Sequence, residues 1–236
     1  YENTLPMFGR SNRFTLGVQP AWLYMNNRQY VNQAGAHGEL RKDQVDQAVG
    51  LAIYAEDALA LTPRPLVSSA AIAGFRLDHS IRKSRDHYLS DGDQSDHRVF
   101  NPLLPKLGLL YAVPRIQGQL YANASRSYEP PLLLELNSLT VPGFINLRGQ
   151  DAWQFEVGIR GRSGAMAWDV AAYDVEIENE ILNINVQPFP GAPFTVPTYR
   201  NAPRTRHYGL ETGFEYQLRN GILSHGEDQD DATFRL

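Results

Sequence analysis

The chain has no cysteine. No disulfide framework and no thiolate metal site can form, and the absence suits a protein that crosses an oxidising envelope. No stretch approaches about 18 consecutive apolar residues, which excludes a transmembrane helix. Positive charge is not in excess either. The formal net charge is -4 over 236 residues with no basic block, an argument against a nucleic-acid partner. A mean hydropathy of -0.39 leaves a membrane barrel open, because only alternate residues of a crossing strand need be apolar. Helical periodicity and low-complexity linkers are absent, so no domain boundary is marked. The chain opens on Tyr1 without a basic-then-apolar leader, which points to a removed leader or to a piece of something longer.

Catalytic and metal-binding patterns are equally sparse. Gly-x-Ser-x-Gly does not occur, and no serine sits in a convincing His and Asp setting. The six histidines, His37, His79, His87, His97, His207 and His225, include no His-x-x-x-His pair, so no zinc site is expected. Asp91-Gly92-Asp93 with Asp96 faintly resembles a calcium loop, but the bidentate glutamate is missing and a solvated loop is the expectation. Glu176 and Glu178 lie about 7 Å apart on one strand face, the spacing of surface charge far more often than of paired catalytic carboxylates. No enzyme activity and no cofactor are expected.

What is present is alternation. Trp153, Phe155, Val157 and Ile159 fall on one face of a strand, with Gln154, Glu156, Gly158 and Arg160 on the other. Ser163-Gly164 turns the chain, and Met166, Trp168, Val170 and Ala172 resume the pattern. The phase then reverses to Tyr173, Val175 and Ile177. Either a bulge near Ala171-Ala172 restores register, or the strand rises above a membrane there, as its acidic residues favour. Similar stretches run over Arg13 to Met25, Gln44 to Asp57, Pro65 to His79, Lys106 to Val113, Ile116 to Ser127 and Thr205 to Leu218, with a fragment from Ile222. This makes about eight strands and a partial one.

The connections alternate between long and short. Long loops are expected at Asn26 to Asp43, Lys83 to Val99, Tyr128 to Gln150 and Leu182 to Pro203. Tight links are expected at Leu59 to Arg64, Pro114-Arg115, Ser163-Gly164 and Asn220-Gly221. An up-and-down outer-membrane barrel has this form, with short periplasmic turns and long external loops; soluble domains seldom carry so many loops above about 12–15 residues. Trp22, Tyr24, Tyr111, Trp153, Trp168, Tyr208 and Tyr216 would then form interfacial girdles.

Six segments, in order, carry a family resemblance: Leu51-Ala-Ile-Tyr-Ala-Glu-Asp57, Pro105-Lys-Leu-Gly-Leu-Leu-Tyr111, Leu120-Tyr-Ala-Asn-Ala-Ser-Arg-Ser-Tyr-Glu-Pro-Pro131, Glu156-Val-Gly-Ile-Arg-Gly-Arg162, Trp168-Asp-Val-Ala-Ala-Tyr173 and Arg206-His-Tyr-Gly-Leu-Glu-Thr-Gly213. The chain resembles the barrel of TonB-dependent outer-membrane receptors of the siderophore and ferric-citrate-like group. The resemblance implies an all-β, antiparallel, up-and-down barrel of about 22 strands, of which this chain is an internal part without plug or closing strand. It implies an outer-membrane location in a Gram-negative bacterium and import of ferric siderophores or similar chelates energised through TonB. The expected partners are the chelate, outer-membrane lipid and lipopolysaccharide, and TonB through the plug region. The alternatives are a smaller complete porin-like channel or a secreted soluble β-sandwich binding protein. Arg126, Arg148, Arg200, Arg204 and Arg206 fall near or above the outer rim, and their planar forks suit anionic chelates or lipopolysaccharide phosphates.

Overall fold

Strands whose apolar residues recur every second position need one dry face and tolerate one wet face. The computed structural model, which describes residues 2–4, 6–62, 69–137, 143–218 and 232–235, resolves them into a single antiparallel sheet. Its strands are β1 (Glu2–Asn3), β2 (Asn12–Gln33), β3 (Ala36–Ala60), β4 (Ala70–Asp86), β5 (Asp96–Phe100), β6 (Leu103–Val113), β7 (Gly118–Glu129), β8 (Gln150–Ser163), β9 (Met166–Val186), β10 (Val196–Leu218) and β11 (Ala232–Arg235), with one short helix, α1 (Leu133–Leu136). Along the path from β1 to β11 the strands form an open meander in sequence order, with β5 off the path and paired to β4 alone. β5 and β6 both pair with β4 in one register and are a single strand interrupted at Asn101-Pro102. Pro102 has no N–H to give the ladder; its carbonyl still accepts the Asp78 N–H at 3.2 Å.

Register carries one face across the whole sheet. Pairing places Leu16, Val18 and Trp22 of β2 opposite Ala55, Ile53 and Val49 of β3, and Ile53 and Ala55 opposite Leu77 and Phe75 of β4, with Ala73 and Ala71 following on the same face. The same face continues through Leu107, Leu109 and Tyr111, then Leu120, Ala122 and Ala124, to Phe155, Val157 and Ile159, Trp168 and Val170, and Leu210 and Phe214. Among the described residues no second sheet covers it. Trp22 is 80% exposed and Leu210 69% exposed, an apolar band that water would not tolerate at this size. The soluble sandwich therefore has no counterpart among the described residues. Trp168 and Tyr216 lie by the Ser163-Gly164 turn, Trp153 and Tyr208 toward the far end of the band.

Two expectations about loops change. Residues 26–43 are not a loop: β2 and β3 run on as a paired ribbon to a turn at Ala34 and Gly35, both at positive φ. Likewise β9 reaches Val186 and β10 begins at Val196, so most of the expected loop from Leu182 to Pro203 is strand. Strands of 21 to 25 residues far exceed the roughly 9–11 that cross a bilayer. Above the membrane both faces are wet, so the period-two signal fades while backbone pairing continues. For the same reason no bulge interrupts Ala171-Ala172; β9 stays in register with β8 throughout. The expected Asn220-Gly221 turn and residues 63–64 of the Leu59 to Arg64 link lie outside the described residues.

Candidate functional site

The other face of the sheet is polar. Lys106 Nζ donates to Glu56 Oε2 at 2.8 Å. The Arg76 guanidinium grips Asp78 from Nε at 3.0 Å and reaches Gln19 Oε1 at 2.8 Å. Arg160 donates to Gln119 at 2.8 Å and lies over the Tyr121 ring. Glu56, Arg76, Lys106, Glu156 and Arg160 all stand on this face.

The segment between β7 and β8 does not stand outside. It folds back over this polar face as a strap. Pro130 and Pro131 end β7, α1 follows, and an isolated bridge joins Asn137 to Phe144. Leu133, Leu136, Phe144 and Leu147 are buried together against Ala48, Ile181 and Tyr199. Gln44 on β3 and Arg82 on β4, both on the face opposite the apolar band, donate to the strap at Asn137 Oδ1 (2.9 Å) and Pro131 O (3.1 Å). Farther along, Asn201 receives the Arg148 N–H and donates to the Arg148 carbonyl, both at 2.9 Å. The strap thus spans the polar face from β3 to β10, and it holds the largest apolar core of the described residues.

A family model described as "TonB dependent receptor-like, beta-barrel" matches residues 1–234. The chain belongs to that family. Members are outer-membrane proteins of Gram-negative bacteria, so the exposed band is the lipid-facing surface and the strap lies inside the barrel lumen. Similar solved structures include the copper transporter OprC (TM-score 0.67, 16% identity, 89% of this chain and 34% of that one). They also include the ferric-catecholate import receptor Fiu from K12 E. coli (0.61, 17%, 99% and 36%) and the ferric citrate transporter FecA in its unliganded form (0.63, 18%, 92% and 31%). The chain spans about a third of the length of these structures. No curated protein sequence matches it.

The five rim arginines of this barrel segment separate by face. Arg126 lies on the lipid-side face and grips Asp151 with Nε (2.8 Å) and Nη2. Arg204 and Arg206 share that face with Glu176 and Asp174, reached at 2.5 Å each, and Arg206 stacks on Tyr208. Arg200 is exposed opposite Leu182. Arg148 alone of the five sits on the lumen strap, side chain exposed. The register does not bring the five together.

The aspartate-rich loop is built by its own backbone. Asp86 accepts the N–H groups of Tyr88 and Gln94 at 2.9 and 3.1 Å. Asp93 accepts that of Ser95 at 2.9 Å, and hydrogen bonds from the Ser95 side chain and backbone hold its carboxyl below the usual range. Asp96 accepts from Arg98 and from Phe144 N–H on the strap. Among the described residues no group of three His, Asp or Glu converges as a metal site. Sequence reading missed the strap's lumen contacts, above all those of Gln44, Asp46 and Arg82 with Asn137 and Pro131. The available signal was the run Leu132-Leu-Leu-Glu-Leu136 in an otherwise polar loop, since such a run must find cover.

Proposed function

We propose that this chain is a wall segment of an outer-membrane receptor that imports ferric siderophores or similar iron chelates, energised through TonB. Supporting this reading most directly is the family match over nearly the whole chain, joined to a polar lumen face behind a lipid-facing band. The segment performs no bond chemistry. Further strands and a plug complete the pore and contact TonB, so the isolated chain transports nothing. Arg148 is the rim arginine that meets the anionic chelate, because the strap holds it on the lumen side. Arg126, Arg200, Arg204 and Arg206 face outer-membrane lipid and the phosphates of lipopolysaccharide.

The test is uptake of radiolabelled iron by cells carrying the complete receptor, supplied as hydroxamate, catecholate or carboxylate chelates. One class is taken up saturably, and only when TonB is present. Loss of one charge-assisted contact, worth about 1.5–3 kcal/mol, makes Arg148→Ala weaken chelate binding about tenfold or more, while Arg206→Ala changes it less than about twofold. Uptake independent of TonB, or of no chelate class, would refute the reading.

A further inference from the structure

Beneath the strap a carboxylate is buried without a cation. Asp46 is 0% exposed, and no lysine, arginine or histidine pairs with it among the described residues. Its Oδ1 accepts from Gln44 Nε2 at 2.5 Å and its Oδ2 from Asn137 Nδ2 at 3.4 Å. Gln44 Nε2 also lies 2.9 Å from Asn137 Oδ1. Directly opposite in register stands Ser84 on β4. It is 2% exposed, and its Oγ has no hydrogen-bond partner. Both side chains project from the lumen face, and opposed residues on one face have Cβ atoms about 4.5–5.5 Å apart. The two side chains are therefore cross-strand neighbours with no hydrogen bond between them. Arg82, the neighbouring lumen-facing cation of β4, turns instead to Pro131 O and to Ser80 Oγ at 2.7 Å.

An ionised carboxylate held by neutral amides away from water costs several kcal/mol, and an orphaned hydroxyl adds to that. A bound cation removes both costs. It balances the Asp46 charge and gives Ser84 Oγ a partner. Rotation of the two amides turns Gln44 Oε1 and Asn137 Oδ1 toward it, oxygen and nitrogen being nearly equal in shape. Every donor is oxygen, which selects a hard ion over one that prefers sulfur or imidazole. Mg²⁺ demands a strict octahedron and keeps its waters; Ca²⁺ accepts mixed carboxylate, amide and hydroxyl ligands in flexible geometry. We propose that Asp46, Ser84, Gln44 and Asn137 form a calcium site that latches the strap to the lumen wall. With a single carboxylate the affinity falls in the range of about 10⁻⁴–10⁻³ M, so the latch responds to external calcium. It is a structural site, independent of what the receptor carries.

The experiment is hydrogen exchange on the complete receptor purified in detergent and stripped with a chelator, read at residues 133–137 and 143–147 with and without 10 mM CaCl₂, about ten times the weakest expected Kd. Wild-type strap amides exchange about tenfold more slowly with Ca²⁺, the factor for that ligand excess; equal MgCl₂ has less than half that effect. Asp46→Asn removes the response, and Ser84→Ala reduces it severalfold while leaving the fold intact should Asp46→Asn fail to assemble. A wild-type strap indifferent to Ca²⁺ overturns the proposal, as does an equal response in wild type and both variants, which would place the ion on lipopolysaccharide or the surface. Iron uptake is not the readout, so a failure here leaves the transport reading standing, and the reverse.

Discussion

On the lumen face, tyrosines lie over glycines directly across the strand pair. Tyr54 covers Gly17, Tyr121 covers Gly158 and Tyr173 covers Gly209. A Cβ on Gly158 would stand 2.3 Å from Tyr121 Cζ, so the ring must leave its place. Gly158→Ala is expected to cost about 1–3 kcal/mol, measured as a lower denaturant midpoint for the complete receptor in vesicles. With Tyr121→Ala already present the same change costs less than the sum of the two; strict additivity would rule out the packing account.

Among the elements, the strap departs most from what a strand pattern foretells. Leu136 is 0% exposed and fixes α1 to the wall through neighbours distant in sequence. Leu136→Ala should destabilise the strap by about 2–5 kcal/mol, read as faster hydrogen exchange at residues 133–147 with no change in β8 or β9. Spreading of the effect into those strands would mean the strap is integral to the sheet. Period two marked β2, β3, β6 to β10 and most of β4 wherever one face was dry. It did not mark the outer halves of β2, β3, β9 and β10, where both faces meet water. Nor could it place the partners of the 130–149 segment, which lie up to 93 positions away.

For the whole molecule, the decisive question is which solvent the apolar face meets. Val157 sits within the lipid-facing band and Gln154 on the lumen face of the same strand. Val157→Arg should cost about 2–4 kcal/mol in a bilayer, while Gln154→Arg stays within about 0.5 kcal/mol. Unfolding in lipid vesicles measures both, and equal costs would reverse or abolish the assignment of faces. The outer-face ion pairs of Arg126, Arg204 and Arg206 are worth about 1 kcal/mol or less each where water reaches them. They dress the rim of the wall and do not hold it together.

Alternation alone determined that the chain is a meander of crossing strands. Register, set by backbone pairing, made that alternation one continuous lipid face and one polar lumen face. The phase of Trp153, Phe155 and Val157 was legible because a strand's side chains point to opposite faces in strict succession. The five arginines stood out in the sequence by their place beyond the apolar runs. Which of them face inward was not, because in a wet region no hydrophobic signal reports the phase. Only the tertiary structure separated Arg148 on the strap from Arg126, Arg204 and Arg206 on the outer face. It alone placed Asp46, Ser84 and Asn137 together, since their proximity depends on the pairing of β3 with β4 and on a loop that turns inward, and neither leaves a periodic trace in the chain.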